Sequence, residues 1–454
     1  MRIGIVGAGV AGLVAAYRLS QEGHEVDVYE RWPGLGGQGA TLDVGDGVLL
    51  ERYYHHWFTS DRHIVDLWNE LELGPIEWQP SSMAFFVDGK SRAFTTPLDL
   101  LKFSPLPLLD RIKMGLTVLR LQRAGKPVEA YEHETAHEWI VREMGERPWT
   151  KIWGPLLRAK FGSRAQDISM AWLWGKLTMR RRLEGKEARK ELLGYPMPNF
   201  EPLYVALRDR IEANGGRVMI DRPAARISKD LVITPGAPQS FRRGLDPREF
   251  EPEGEGERYD SILATVPNDV FLELLDDDAR EALAPGYTDK LQSIEYHTAF
   301  VLLLELDRQF SPFYWTNVAD PSLPFIGLIE HTNFISPAHY GGRRFLYVSN
   351  YLEPHEELLT LGPDELLSHY EAGLRKVNPA FSKEWVKNRW LFREPAGQPI
   401  VTVGYPERIP PLETGVPGLL LANTTQIYPE DRGTNYAVRL GEDAARRLRA
   451  LTPA

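Results

Sequence analysis

The N-terminal part of the chain begins with a short apolar run, a glycine-rich turn and a longer apolar stretch with helical spacing. Residues 2–6 are typical of a buried strand, and residues 13–21 of a helix that Gly23 ends. Residues 24–29 form a second apolar run. A strand, a tight turn, a helix and a second strand in this order predict the start of a βαβ unit.

The C-terminal part has a related pattern. Residues 418–422 are an apolar strand, and a polar loop then leads into residues 434–448, whose apolar positions follow helical spacing. The predicted core face of this helix consists of Ala437, Leu440, Ala444, Ala445 and Leu448.

Between the two ends, residues 217–221, 231–234 and 259–267 predict further strands. Residues 235–256 are rich in proline, glycine and charge, which indicates an exposed hairpin loop. The remaining segments predict helices in the first half of the chain and strands in the second. We therefore expect a first domain made of residues 1–75, 196–290 and 405–454, and a second made of residues 76–195 and 291–404.

Composition narrows the class of protein. A chain of 454 residues exceeds the usual size of one hydrophobic core, which favours two domains. A formal net charge of -10 disfavours binding to the negatively charged backbone of nucleic acid. The chain has no cysteine, so disulfides, thiolate nucleophiles and thioether links to a cofactor are excluded. The N-terminal segment lacks the pattern of a signal peptide, and we expect a cytoplasmic protein.

The predicted turn carries a nucleotide-binding pattern. Its glycines allow a tight turn, a close approach of backbone to pyrophosphate and close packing of helix on strand. Glu30 ends the second strand, where a carboxylate binds the ribose of a dinucleotide. The turn itself consists of Gly7, Ala8, Gly9, Val10, Ala11 and Gly12.

The loop after Glu30 resembles that of the FAD-dependent amine oxidase and protoporphyrinogen oxidase superfamily of flavoproteins. The resemblance implies non-covalent FAD as the cofactor, with Arg31, Gly36, Gly37 and Gln38 near it. The superfamily usually has an arginine where this chain has Gln38, so one charged contact with the flavin is not accounted for. The implied fold is α/β, with a discontinuous Rossmann-like FAD-binding domain and an interleaved α+β substrate domain.

The C-terminal strand and helix also resemble this superfamily, in which they lie against the pyrophosphate, the ribityl chain and the pyrimidine edge of the flavin. The resemblance implies cofactor contacts from Asp431, Gly433, Thr434 and Asn435. It also places the backbone of Ala224 beside the adenine.

Two neighbouring histidines are the candidate catalytic residues. The superfamily brings the segment of residues 49–58 to the flavin ring, and histidine exchanges protons near neutral pH. Because adjacent residues of a strand face opposite sides, only one is expected to face the flavin, and we favour His56 over His55. Residues 330–333 and Tyr351 are further candidates that could close over the flavin. No metal site is predicted, because the chain lacks a ligand set with the usual spacing.

The superfamily implies an FAD-dependent oxidoreductase that removes a hydride from a C–N or C–C unit of a small molecule. Residues 56–58 also resemble a segment of UDP-galactopyranose mutases, which gives a non-redox alternative acting on a nucleotide sugar. A carrier without flavin, like the GDP-dissociation inhibitors, is a third hypothesis. Only one complete dinucleotide fingerprint is present, so we expect electrons to pass to oxygen, a quinone or a protein rather than to come from NADPH.

Three other segments have a distinctive composition: one is rich in tryptophan, one is apolar and one is basic. Tryptophans at 139, 149, 153, 172 and 174 predict core packing or, as an alternative, a wall for a flat apolar substrate. Residues 98–121 are apolar with scattered basic positions, too interrupted to span a bilayer but suited to a membrane surface, as in some relatives. The basic run at residues 179–190 is typical of a solvated helix face. The sequence carries no signal for an oligomeric state.

Overall fold

The apolar runs of the two chain ends form strands of one parallel sheet in the computed structural model, which describes residues 1–178, 192–236 and 253–451. The strands are β1 Arg2–Val6, β2 Glu25–Tyr29, β3 Thr41–Asp43, β4 Leu49–Glu51, β5 Trp57–Phe58, β6 Ile76–Pro80, β7 Met83–Val87, β8 Lys90–Ala93, β9 Leu192–Pro196, β10 Arg217–Met219, β11 Ala224–Ile227, β12 Val232–Pro235, β13 Glu257–Arg258, β14 Ser261–Ala264, β15 Tyr296–Leu306, β16 Trp315–Val318, β17 Gly327–Glu330, β18 Arg344–Leu352, β19 Val386–Pro399 and β20 Leu419–Leu421.

Two of the helices cover the parallel sheet, and a group of six lies just before residue 179, where the described residues are first interrupted. The helices are α1 Val10–Gln21, α2 Arg62–Glu70, α3 Pro97–Lys102, α4 Leu108–Arg123, α5 Ala136–Glu143, α6 Glu146–Pro148, α7 Gly154–Phe161, α8 Met170–Thr178, α9 Glu201–Ala213, α10 Asn268–Leu274, α11 Asp277–Glu281, α12 Tyr287–Gln292, α13 Pro363–Val377, α14 Tyr405–Arg408 and α15 Thr434–Ala450.

The parallel sheet has the strand order β10-β2-β1-β14-β20. Each pair of neighbours is parallel, and α1 is the crossover from β1 to β2. Most residues of β1, β2, β14 and β20 are apolar and buried, because helices α1 and α9 pack against the sheet and α15 packs against α1. The predicted Rossmann-like α/β architecture is confirmed.

Helix α1 begins earlier than the sequence pattern predicted. The expected start was residue 13, whereas the first helical turn already contains Val10, Ala11 and Gly12. Gly9 is the N-cap and offers no side chain to the free amides of that turn. The glycine-rich turn is therefore short, and its second half belongs to helix α1.

A larger mixed sheet has the order β19-β15-β18-β17-β16-β7-β8. Its neighbours are antiparallel except for β16 and β7, which are parallel. Strands β15 to β19 come from the second half of the chain, as expected. Strands β7 and β8 come from the helical first half, a contribution that the pattern did not predict. The division into domains stays a prediction, although every strand of the parallel sheet falls inside the three segments assigned to the first domain.

Two further sequence expectations have local outcomes. The strand expected over residues 49–58 is two short strands, β4 and β5, separated by irregular backbone at residues 52–56. Strands β12 and β13 pair antiparallel, so the segment between them joins the strands of a hairpin. Most of that segment, residues 237–252, lies outside the described residues, as does the basic run at residues 179–190.

Within the described ranges, no helix combines the length and the apolar character needed to cross a membrane.

Candidate active site

The first cavity is a cleft of about 240 Å³ at the carboxyl ends of the parallel strands. In an open α/β sheet this edge is the usual place for a dinucleotide. Many of the residues singled out in the sequence line it, including those of the glycine turn and those near the start of α15. These are Gly7, Gly9, Val10, Ala11, Glu30, Arg31, Gly36, Gly37, Gln38, Ala224, Gly433 and Thr434.

Two glycines of the turn have different surroundings. A Cβ atom at Gly12 would lie 2.0 Å from the carbonyl oxygen of Gly7, so Gly12 is required for packing helix α1 on the turn. A Cβ atom at Gly9 would meet nothing closer than Gly37 Cα at 3.9 Å, because this position faces the cleft. Gly9 therefore leaves room for a ligand rather than for protein.

Glu30 is buried at the end of β2 and is held by backbone. Its Oε2 atom accepts the N–H of Ala8 at 2.7 Å, and its Oε1 atom accepts the N–H of Trp32 at 2.8 Å. Burial raises the pKa of Glu30, and the two backbone donors oppose that rise. The result is a rigid acceptor where ribose hydroxyls bind in dinucleotide folds.

Positive partial and full charges surround the middle of the cleft. The N-caps of α1 and α15 are Gly9 and Gly433, neither of which has a side chain to cap the first amides. Free helix amides of this kind bind phosphate groups. Arg52 also lines the cleft, and its buried Nε has no hydrogen-bond partner among the described residues. Such an orphaned donor fits a bound anion. These features together fit FAD.

Arg432 places a positive charge next to Gln38, the position at which the superfamily usually has an arginine. Its Nη1 atom donates to Gln38 Oε1 at 3.3 Å, its Nε to Gln398 Oε1 at 3.1 Å and its Nη2 to the Tyr351 hydroxyl at 2.9 Å. A guanidinium from the C-terminal loop thus stands beside the glutamine that replaces the family arginine. Sequence reasoning missed Arg432 and Arg52, because no local spacing ties either of them to the glycine turn.

A second cavity of about 550 Å³ adjoins the first. Four residues line both cavities, which therefore meet at this point. They are His55, Arg432, Gly433 and Thr434. Most of the remaining wall is aromatic or aliphatic. Trp153 and Trp172 belong to that wall, whereas Trp139 and Trp149 are buried in the helical core. Core packing is thus confirmed for Trp139 and Trp149, and a substrate contact of Trp153 and Trp172 stays a prediction.

The two candidate histidines do not follow strand alternation, because they lie in the irregular segment between β4 and β5. Both line the second cavity, and His55 alone of the pair also lines the first. His55 Nδ1 is 2.7 Å from the carbonyl oxygen of Tyr53, and burial lowers the pKa of His55 to about 4. The ring is neutral at pH 7 with its proton on Nδ1, which leaves Nε2 as an acceptor. His56 Nδ1 is 3.0 Å from the hydroxyl of Tyr314.

Residues 330–333 line neither cavity, so the expectation that they close over the flavin is wrong. The carboxylate of Glu330 accepts the backbone N–H groups of Phe310 and Ser311 at 2.8 and 2.7 Å. His331 Nε2 lies 2.6 Å from the Tyr340 hydroxyl, and burial lowers the pKa of His331 to about 3. These side chains stabilise the turn after β17. Tyr351 does line the second cavity.

Asp431 and Asn435 line the second cavity and not the first. Asp431 Oδ2 accepts hydrogen bonds from Lys160, at 2.5 Å, and from Lys176. Asn435 Oδ1 accepts the backbone N–H of Ile64 at 3.2 Å. Their contact with a cofactor stays a prediction. In the part of the chain that the structure describes, no group of three acidic or histidine side chains is arranged to hold a metal ion.

Comparison with known proteins agrees with this geometry. The family described as flavin containing amine oxidoreductase matches residues 10–449. A 15-cis-phytoene desaturase from Solanum lycopersicum is 25% identical over 334 residues, which cover 69% of this chain and 54% of the relative. The chain thus spans about half the length of that relative.

Solved structures share the fold at low identity. A protein from Exiguobacterium sp. 255-15, assigned as a protoporphyrinogen oxidase, has a TM-score of 0.74 and 18% identity, covering 99% of both chains. A reduced UDP-galactopyranose mutase has a TM-score of 0.73 and 16% identity, covering 100% of this chain and 96% of the other. These two likenesses concern the fold alone. The family match extends over nearly the whole sequence, and this chain belongs to the flavin containing amine oxidoreductase family.

Proposed function

We propose that this protein removes a hydride from a C–N or C–C unit of a small molecule held in the second cavity, and that the electrons pass to oxygen or another acceptor. The observation that carries the proposal is the wall shared by the two cavities. His55, Arg432, Gly433 and Thr434 line both, so a molecule in the second cavity lies beside the end of the cofactor cleft.

FAD would be held by the backbone of the glycine turn, by Glu30 and by the amides at the start of α15, and it supplies the hydride acceptor. The chain supplies position and environment. Aromatic side chains such as Tyr54, Tyr314 and Trp315 enclose the second cavity and limit its access to water. Neutral His55 offers Nε2 as a fixed acceptor at the shared wall.

The test uses purified protein with its bound flavin under anaerobic conditions. Candidate substrates, including molecules that co-purify with the protein, are added and the flavin absorbance is followed. The proposal requires bleaching by substrate and recovery of absorbance on admitting oxygen or a quinone. Turnover of a nucleotide sugar only after dithionite reduction, with no bleaching by any substrate, would instead identify a mutase like the UDP-galactopyranose enzyme whose fold is similar.

We also propose that the protein rests on a membrane surface through helices α3 and α4. Six exposed apolar side chains cluster on these helices, whereas other exposed large apolar residues are scattered. A contiguous exposed apolar patch of this kind marks an interaction site. The six define the α3–α4 surface and are Leu98, Leu101, Leu108, Leu109, Ile112 and Leu116.

The charge around the α3–α4 surface favours anionic lipid. Residues 97–126 contain six basic and two acidic residues in a chain whose net charge is -10. The surface also adjoins the second cavity, because the ring of Phe94 lines that cavity and lies 5.1 Å from the ring of Phe103 at the end of α3. An apolar substrate could thus enter from the lipid side.

A further inference from the structure

Two tryptophans in the wall of the second cavity have indole N–H groups that lack an acceptor. Trp153 and Trp172 both line the cavity, and the Nε1 atom of each is buried with no hydrogen-bond partner among the described residues. Within the described ranges they are the only buried indoles without an acceptor. A buried donor of this kind is unfavourable, because it has lost its hydrogen bonds to water. Both exceptions thus lie at the proposed substrate cavity.

Other tryptophans show that the fold can supply such acceptors. Trp315 also lines the second cavity, and its Nε1 atom donates to Asn317 Oδ1 at 2.9 Å. Trp57 is 1% exposed, and its Nε1 atom donates to Thr434 Oγ1 at 3.0 Å. The lack of an acceptor is therefore particular to the positions of Trp153 and Trp172.

The ring of Trp172 is held in place, so it does not turn toward an acceptor elsewhere. It is 5% exposed and meets the ring of Phe161 edge to face, with the ring centres 4.9 Å apart. The ammonium nitrogens of Lys160 and Lys176 each lie 5.3 Å from the centre of the same indole. The N–H group of Trp172 is therefore a fixed donor in the cavity wall.

A serine hydroxyl in the same wall also lacks a partner. Ser81 lies between β6 and β7, lines the second cavity and is 7% exposed. Its Oγ atom is buried and makes no hydrogen bond in the part of the chain that the structure describes. The next residue differs, because Ser82 Oγ accepts the backbone N–H of Tyr314 at 2.9 Å. Ser81 thus adds a second element of the fold that presents an unused polar group to the cavity.

We infer that the substrate is a largely apolar molecule with a carbonyl or hydroxyl oxygen, which accepts a hydrogen bond from the indole N–H of Trp172. Trp153 and Ser81 offer further polar contacts to the same molecule, and the aliphatic and aromatic remainder of the wall packs against its apolar body. The inference rests on the proposed function, because it assigns the substrate to the second cavity. A hydrocarbon has no acceptor and a protonated amine has only donors, so neither satisfies the N–H group. The substrate class is an oxygenated apolar molecule.

The test measures binding of matched probes to the flavin-loaded protein by calorimetry. Acetophenone and α-methylstyrene have nearly the same shape, but only acetophenone has a carbonyl oxygen. Water solvates that carbonyl, so a wall without free donors would favour α-methylstyrene. We expect acetophenone to bind at least as tightly as α-methylstyrene, because the indole N–H replaces the lost water. Tighter binding of α-methylstyrene would overturn the inference.

A third probe, 1-phenylethanol, distinguishes a hydroxyl from a carbonyl. Asp431 Oδ1 is a buried acceptor that has no partner among the described residues, and Asp431 lines the same cavity. A hydroxyl can donate to such an acceptor and also accept from an indole, whereas a carbonyl only accepts. Once acetophenone matches or exceeds α-methylstyrene, either order of the two oxygenated probes supports the inference and identifies the preferred group.

Substitution of Trp172 locates the hydrogen bond. Trp172→Phe keeps an aromatic ring and removes the N–H, so it should weaken acetophenone about fivefold and α-methylstyrene by less than about twofold. Trp174→Phe is the matched control, because Trp174 lies on the same helix, stacks on Tyr131 and does not line the cavity. Flavin content and melting temperature identify a variant that fails to fold. In that case benzothienylalanine replaces Trp172, since it keeps the two-ring shape and has sulfur in place of the N–H.

Equal loss of acetophenone and α-methylstyrene on removal of this N–H, or no loss of acetophenone, would contradict the inference. Calorimetry does not depend on turnover, so the two proposals can fail separately. Selectivity for acetophenone that depends on Trp172, without flavin reduction by any substrate, would refute the oxidoreductase proposal and retain the acceptor site. Flavin reduction by a hydrocarbon or an amine, with no selectivity for acetophenone, would do the reverse.

Discussion

At the scale of single residues, Gly9 and Gly12 belong to one motif but are required for two different physical reasons. The position of Gly12 has no space for a side chain, since its Cβ would overlap the carbonyl oxygen of Gly7. The position of Gly9 has space, but that space belongs to the cofactor cleft.

We therefore expect Gly9→Ala to fold and lose FAD affinity, and Gly12→Ala to lose FAD and about 1–3 kcal/mol of the free energy of unfolding. Flavin absorbance reports cofactor content, and urea unfolding of the flavin-free proteins reports stability. Gly34→Ala is the control, because a Cβ atom there meets nothing within 4 Å. Native flavin content in Gly12→Ala would show that the turn is not close-packed.

The two histidines offer a second contrast at this scale. His55 lines both cavities, whereas His56 lines only the second and bonds to Tyr314. His55→Ala removes a fixed neutral acceptor beside the cofactor cleft. One hydrogen bond of about 1.4 kcal/mol corresponds to a shift of about 30 mV in a two-electron potential.

We expect the midpoint potential of the bound flavin to shift by that order in His55→Ala and by much less in His56→Ala. Spectroelectrochemical titration with mediator dyes measures both without a substrate. A larger shift in His56→Ala would restore the sequence-based preference for His56.

At the scale of elements, two helix starts and one helix pair form the proposed binding surfaces. Helices α1 and α15 both begin at glycines that line the cofactor cleft, so their amides face it. Helices α3 and α4 instead direct apolar side chains outward. We propose phosphate as the ligand of the first arrangement and lipid as the ligand of the second.

Leu108→Asp combined with Leu109→Asp should abolish co-sedimentation with vesicles that contain anionic lipid, since each charge opposes burial in the interface. Leu451→Asp is the matched control, because Leu451 is also exposed but lies at the end of α15. High salt should weaken binding of the unsubstituted chain partly, through the basic residues of α4. Vesicle binding that survives in the double variant would exclude the α3–α4 surface.

At the scale of the whole molecule, segments from both ends of the chain assemble the cofactor cleft. The only complete glycine fingerprint followed by a ribose acid in the sequence is residues 7–30. The cleft it forms is the one assigned to FAD.

NADPH should therefore reduce the bound flavin far more slowly than dithionite does. Stopped-flow absorbance under anaerobic conditions compares the two reductants on the same preparation. Rapid bleaching by NADPH would mean that the second cavity accepts a nicotinamide, and that the electron donor has been misassigned.

The sequence alone determined the parts of this protein that depend on short-range geometry. The glycine turn, Glu30 and the C-terminal helix follow from residues a few positions apart, whose backbone requirements are local. The assignment of FAD came from the resemblance to the flavoprotein superfamily. The placement of Gly433 and Thr434 at the cleft came from resemblance at the chain end. The same local reasoning failed for His55 and His56, because strand alternation applies only where a strand exists.

Only the tertiary structure decided which side chains meet at the substrate side. Asp431 is far in sequence from Lys160 and Lys176, and Gln38 is separated from Arg432 by most of the chain. The shared wall of the two cavities forms because the strands of the parallel sheet come from both ends of the chain. Charges brought together in this way leave no periodicity or spacing in the sequence, since packing rather than local backbone geometry places them.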